Sequence, residues 1–200
     1  MLQNLKDFIK TRLTIRKVKN LEKKDEPVKL EIGAGPKKGE NGWTTLDVCG
    51  GVDLFWDLQK KMPFNDNSVQ EVYSCHVLEH FWYKDLMILL KDIYRILKPG
   101  GKISVVVPNA RLFVEGYAHP EKFNKALLKY EPGIISEKKM DILNYLFYMD
   151  NQHRYMFDEE NLEFVLQKAG FKSVKMRDFD PSIDLEERRD ESLSMEAIKE

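Results

Sequence analysis

Lys29-Leu30-Glu31-Ile32-Gly33-Ala34-Gly35-Pro36 is the stretch on which the fold turns. A short apolar-leaning run, Val28 to Ile32, enters a turn whose glycines permit close backbone approach to a ligand. The turn departs from a dinucleotide fingerprint. A third glycine would stand three positions past Gly35, where Lys38 is found, and the ribose acid would follow ~20 residues on, whereas Asp47 comes sooner. Glu31 at the entry disfavours a pyrophosphate, which a carboxylate repels.

Outward from that turn, strand-like runs end in polar side chains. Trp43 to Val48 carries Asp47 at its close, Val52 to Trp56 is followed by Asp57, and Glu71 to Cys75 by His76. Ligands of open α/β sheets bind beyond the carboxyl ends of the strands, so this row predicts a binding edge. Leu86, Leu89, Leu90, Ile93 and Leu97 recur at helical spacing and predict a helix from Tyr83 to Leu97, stopped by Pro99-Gly100-Gly101. Lys102 to Val107 is nearly continuous and β-branched, the pattern of a central strand buried on both faces. Asp158 caps a helix through Lys168 that Gly170 closes, and Phe171 to Met176 and Ser192 to Ile198 supply two last strands. Such alternation predicts a mostly parallel sheet.

Two segments stand outside the alternation. Residues 1–26 hold an amphipathic helix, Leu2 to Val18, rich in Lys and Arg, then a charged linker. It reads as a helix packed on the sheet in preference to a membrane-surface anchor, which normally needs bulkier apolar groups or a second signal. Residues 27–200 form the main domain, with a lid-like insertion at about 109–152. The insertion carries two short helices, Glu121 to Tyr130 and Glu137 to Tyr148, around Glu131-Pro132-Gly133. Its rings, among them Phe113, Tyr117, Phe123, Tyr130, Tyr145, Phe147 and Tyr148, form either a satellite core or a cover for an adjoining pocket.

Two hundred residues suffice for one core without disulfides or metal. Lys plus Arg number 32 against 33 Asp plus Glu, so no nucleic-acid partner is expected. Cys49 and Cys75 form neither a disulfide framework nor a CxxC site, and no run approaches the ~20 apolar residues of a membrane span. A cytoplasmic protein is the expectation.

Four segments in register resemble the class I S-adenosylmethionine-dependent methyltransferases, in particular their small methyltransferase-11-like group, from about Val28 to Asn109. Glu31 to Gly35 is similar to the first motif, which implies that Glu31, Gly33, Ala34 and Gly35 hold the methionine end of the cofactor. Asp47 matches the acid that accepts from the ribose hydroxyls. Asp57-Leu58 resembles the adenine-contacting segment, and Ser74 to His80 the segment beside the transferable methyl, which brings in Ser74 and His76. Leu97-Lys98-Pro99-Gly100-Gly101 is similar to the turn before the fifth strand. The resemblance implies a Rossmann-like three-layer α/β/α sandwich with a mostly parallel seven-stranded sheet and an antiparallel last strand. One departure is plain. Lys37 to Asn41 is too short for the helix usual at that point, so the N-terminal helix is expected to cover the sheet instead.

The chemistry is consistent with that cofactor. Carboxylates accept from a ribose diol and an adenine amine, and a backbone-lined turn holds the amino-acid end. The methyl already sits on an excellent leaving group, so the protein has to align the acceptor and exclude water. The expected acceptor is a small-molecule or glycan hydroxyl. His153 or His76 is the candidate base, with loop-carbonyl bonding the alternative for His153; Arg154 and Arg111 are anion contacts or surface ion pairs. Two rivals are a zinc-dependent hydrolase using His76-Val77-Leu78-Glu79-His80 and a catalytically silent binding protein of the same fold. The hydrolase is disfavoured because His76 follows a strand and does not share a helix with His80, so no metal is expected.

Overall fold

The computed structural model describes residues 2–119, 121, 136 and 138–200. Helix α1 (Leu2–Leu21) precedes strands β1 (Lys29–Ile32), β2 (Trp43–Asp47), β3 (Leu54–Phe55) and β4 (Val69–Cys75). After a 3₁₀ turn at Leu78–His80 come α2 (Tyr83–Ile96), β5 (Leu97–Pro108), α3 (Ala110–Ala118), α4 (Lys139–Tyr148), α5 (Glu159–Ala169), β6 (Lys172–Met176) and β7 (Ser192–Ile198). The seven strands lie in the order β3-β2-β1-β4-β5-β7-β6, and β7 alone runs antiparallel to its neighbours. This is the Rossmann-like sheet that the motifs imply.

Paired residues share a face, and the register sorts the sheet into two. Leu30, Ile32, Leu46, Leu54, Val72, Ile103, Val105, Met195 and Ala197 form one apolar side. Helices α1, α2 and α5 all bury onto it, through Val18, through Leu86, Leu90 and Ile93, and through Leu162, Val165 and Leu166. The other side is mixed, with Trp43, Tyr73 and Val106 among polar groups. Lys29, Glu71, Lys102, Glu196 and Lys175 make a ladder of alternating charge across β1, β4, β5, β7 and β6, with N···O separations of 3.6, 3.1, 3.6 and 3.0 Å. Its central part packs under the segment 177–191. There Tyr73 Oη donates to Asp184 at 3.0 Å, and Arg177 donates to Ser104 Oγ and twice to Asp184. The third layer of the expected sandwich is therefore this segment, with a single 3₁₀ turn at Glu186–Arg188. It follows from the short links around β2, which leave no room for helices.

Helix α1 docks on the β3 edge as a packed helix. Thr14 Oγ1 donates to Phe55 O at 3.1 Å and accepts from Phe55 N at 2.9 Å, so one hydroxyl stands in for a neighbouring strand. Its outer surface keeps Phe8, Ile9, Leu13 and Ile15 exposed among the basic residues. Among the described residues no helix is long and apolar enough to cross a membrane.

Several boundaries differ from the sequence expectation. Strand β3 is two residues long rather than Val52 to Trp56, because only Leu54 and Phe55 find partners on β2. Strand β5 begins at Leu97, so Pro99-Gly100-Gly101 interrupts a strand rather than simply ending α2. In the insertion, α3 was not foreseen; Asn109 caps it by accepting from Leu112 N at 3.5 Å. The expected helix Glu137 to Tyr148 appears as α4, and the expected helix Glu121 to Tyr130 lies, Glu121 apart, outside the described residues. Phe113 and Phe147 join Ala110, Ile142 and Leu146 in a small separate core, while Tyr148 is 64% exposed.

Candidate active site

Register fixes the carboxyl edge of the sheet. Ile32 pairs with Leu46 and Ser74, and Leu46 with Leu54, so Gly33, Asp47, Phe55 and Cys75 begin one row beyond the apolar core. Between β1 and β4 the strand order reverses, the place where open sheets form their ligand crevice.

The glycine turn sits at that reversal. Gly33 and Gly35 have φ of +64° and +67°, a conformation that side chains resist. A Cβ on Gly33 would collide with Val77, whereas one on Gly35 would meet nothing within 4 Å. Asp47 reaches back to the turn: Oδ2 accepts from Gly35 N and Oδ1 from Cys49 N, both at 2.9 Å. Glu31 is held by Lys37 at 2.7 Å. Glu31, Gly33, Ala34, Gly35 and Asp47 thus come together. Asp57 stands past the end of β3, where Oδ1 accepts from Gln59 N at 3.0 Å. With Val48, Gly50, Trp56 and the α1 residues Lys10 and Thr11, Asp57 lines a cavity of about 410 Å³. Leu58 packs on the core, and Ser74 is fully buried below the edge, with Oγ unpartnered among the described residues.

Beyond β4 the chain makes a tight left-handed step at His76, with φ of +52°. His76 Nε2 lies 2.7 Å from Ser192 Oγ on β7, and its Nδ1 lies 3.6 Å from Glu79 Oε1. Burial, with Arg188 nearby, pushes its imidazole well below the usual range. His76 and His80 do not share a helix, as the hydrolase pattern would require. Glu79 is completely buried, neither carboxylate oxygen has a hydrogen-bond partner among the described residues, and burial pushes its carboxyl up to about 8. Its backbone oxygen accepts from Arg154 N at 2.7 Å and Tyr155 N at 3.2 Å, which stitches the chain leaving α4 to the β4 turn. His153 arrives by that stitch. It is buried and its Nδ1 bonds the carbonyl of Leu146; burial lowers its imidazole while that carbonyl opposes the shift. His80 Nδ1 bonds Gln152 O at 3.1 Å, and the His80 and His153 rings meet edge to face at 5.1 Å.

Sequence reasoning missed Ser192 as the partner of His76 and the meeting of His80 with His153. A cavity of about 490 Å³, bordered by Val106, Asn109, Arg177, Arg188 and Ser192, opens on the β7 side. Arg111 pairs with Glu159 at 3.1 Å and Arg154 stacks on Trp82 at 5.2 Å, so both have surface partners.

A reversed-order sheet with a glycine turn and strand-end acids defines a nucleoside-binding α/β domain. Residues 8–176 match the Methyltransf_23 family, described as a methyltransferase domain. The chain belongs to this family of methyltransferases, and its cofactor is S-adenosylmethionine. It is 30% identical over 144 residues to the ubiquinone/menaquinone biosynthesis C-methyltransferase UbiE of Escherichia coli O1:K1, a match over 69% of this chain and 53% of that protein. The chain thus spans about half the length of the curated relatives it matches. Among solved structures, a SAM-dependent methyltransferase from Archaeoglobus fulgidus aligns over 96% of this chain and 93% of its own, with TM-score 0.54 and 19% identity. Phosphoethanolamine N-methyltransferase 2 of Haemonchus contortus, in complex with S-adenosyl-L-methionine, aligns over 92% and 52%, with TM-score 0.51 and 17% identity. At these identities the structures speak for the fold.

Proposed function

We propose that the chain transfers a methyl group from S-adenosylmethionine to a hydroxyl oxygen of a small molecule or glycan, as one domain of residues 27–200 covered by the helix of 1–26 and the insertion of 109–152, in a cytoplasmic setting. The observation that carries it is the bond from Gly35 N to Asp47 Oδ2, which joins the glycine turn to the acid ending the next strand. Glu31, Gly33, Ala34 and Gly35 take the amino-acid end, Asp47 the ribose, Asp57 and Leu58 the adenine, and Ser74 and His76 the methyl side. Asp47 keeps lone-pair capacity beyond its two backbone bonds for a diol.

The acceptor stands beyond the methyl, under the insertion. A hydroxyl must lose its proton as the C–O bond forms, and His76 and His153 are the candidate bases in this reading. The named relatives methylate carbon and nitrogen, so the choice of oxygen rests on these groups rather than on kinship. Helix α1 acts as cover for the β3 edge and not as a membrane anchor, because Thr14 and Val18 are spent on packing. Calorimetry with S-adenosylhomocysteine tests the cradle: one-to-one binding that Asp47→Ala weakens tenfold or more is expected, and unchanged binding in that variant refutes it. Assay of methyl transfer to a panel of phenols, sugars, amines and carbon acids then tests the acceptor.

A further inference from the structure

We propose that Glu79, His80 and His153 form a binding site for a divalent cation of zinc-like character. One ligand-capable atom from each residue lies within 4.8 Å of the other two. The ring hydrogen bonds prepare both histidines. A carbonyl oxygen can only accept, so the bonds to Leu146 O and Gln152 O place a proton on Nδ1 of each ring and leave Nε2 as a bare lone pair. Imidazoles that bind metals are oriented in this way by their second nitrogen.

The third donor supplies the independent observation. Glu79 has 0% exposure and neither carboxylate oxygen has a hydrogen-bond partner among the described residues, the 3.6 Å contact of Oε1 with His76 Nδ1 being too long for one, a costly state for a polar group unless something is bound to it. Two imidazoles and one carboxylate suit zinc and its neighbours, and three protein ligands leave a position open. Ligand atoms of a tetrahedral site stand roughly 3.3 Å apart for bond lengths of ~2.0–2.1 Å, so closure needs only a modest turn of side chains. His80 is exposed and can make it. The nearby charge of Arg188 is matched by Glu191 at 2.6 Å.

This site goes beyond the methyl-transfer reading and does not depend on it. It uses the Nε2 lone pair that a free base at His153 would need, so with the cation bound the role of base falls to His76, the other candidate. Binding is measured without turnover on the full, tag-free chain carrying Cys49→Ser, which removes an exposed thiol able to hold metal. Zinc chloride is titrated by calorimetry, cobalt chloride by visible absorption, and thermal melting is followed with and without zinc. The expected result is one equivalent of zinc, a cobalt spectrum of low coordination number, and a rise in melting temperature with metal. Affinity should fall at least tenfold in His80→Ala and in Glu79→Gln. Because Glu79 is buried its variant can fail to fold; His80→Ala, at an exposed position, decides the matter alone. No saturable binding, or binding undiminished by His80→Ala, overturns the proposal.

Discussion

Substituting alanine at each of the two turn glycines separates folding from ligand binding. Both residues are left-handed, and an alanine there costs about 1–2 kcal/mol from the backbone alone. At Gly33 the new methyl also runs into Val77, and overpacking adds a further ~1–3 kcal/mol. At Gly35 the methyl enters open space that the proposed cofactor must occupy. Gly33→Ala should therefore lose about 2–5 kcal/mol in a urea titration, and Val77→Ala should restore part of it by making room. Gly35→Ala should lose only about 1–2 kcal/mol, yet bind S-adenosylhomocysteine at least tenfold more weakly, which corresponds to about 1.4 kcal/mol. If Gly35→Ala binds as tightly as the parent, the turn is not the cradle. Equal stability of the two variants would refute the packing logic.

Two other outcomes follow from the packing. Burial alone would raise the carboxyl of Asp184, but hydrogen bonds from Arg177, the Asp180 amide and Tyr73 hold it below the ordinary carboxylate range. With the folded value depressed, its contribution is fully present above the unfolded value of about 3.9 and is lost as pH falls through the folded one. Asp184→Asn should cost about 3 kcal/mol near pH 7, since it strands the largely buried Arg177, and should flatten the acid limb of the stability profile below about pH 4. Thr14→Val removes both bonds to Phe55 and should cost about 1–2 kcal/mol, with faster amide exchange at Phe55 as the local readout.

Local rules fix the turn glycines and the residues at the strand ends. The glycines, Asp47 and Asp57 announce themselves because a turn that needs positive φ and a strand that ends on an acid are decided within a few residues. The β7 strand, Ser192 to Ile198, was legible from its sequence for the same reason. Helix α3 was not: it is nine residues long, holds Gly116, a poor helix former, and follows directly on a strand that ends at Pro108. The short β3 depends on what β2 offers, which local pattern does not contain. His80 and His153 lie far apart in the chain and meet where the Glu79 carbonyl takes two amide protons from Arg154 and Tyr155 and His80 bonds Gln152 O. The H-x-x-E-H spacing pointed to His76 and His80, whereas the fold brings His80 to His153 and gives His76 to Ser192.

A sheet that packs α1, α2 and α5 on one flank should record that asymmetry in what evolution and mutagenesis tolerate. At the amino ends of β1, β4 and β5, tolerance should run in stripes of period two: Leu30, Ile32, Val72 and Ile103 intolerant of polarity, and Lys29, Glu71 and Lys102 freely exchanged so long as neighbouring signs still oppose. Such striping is foreign to parallel strands sandwiched between two helical layers, which admit apolar residues at nearly every position.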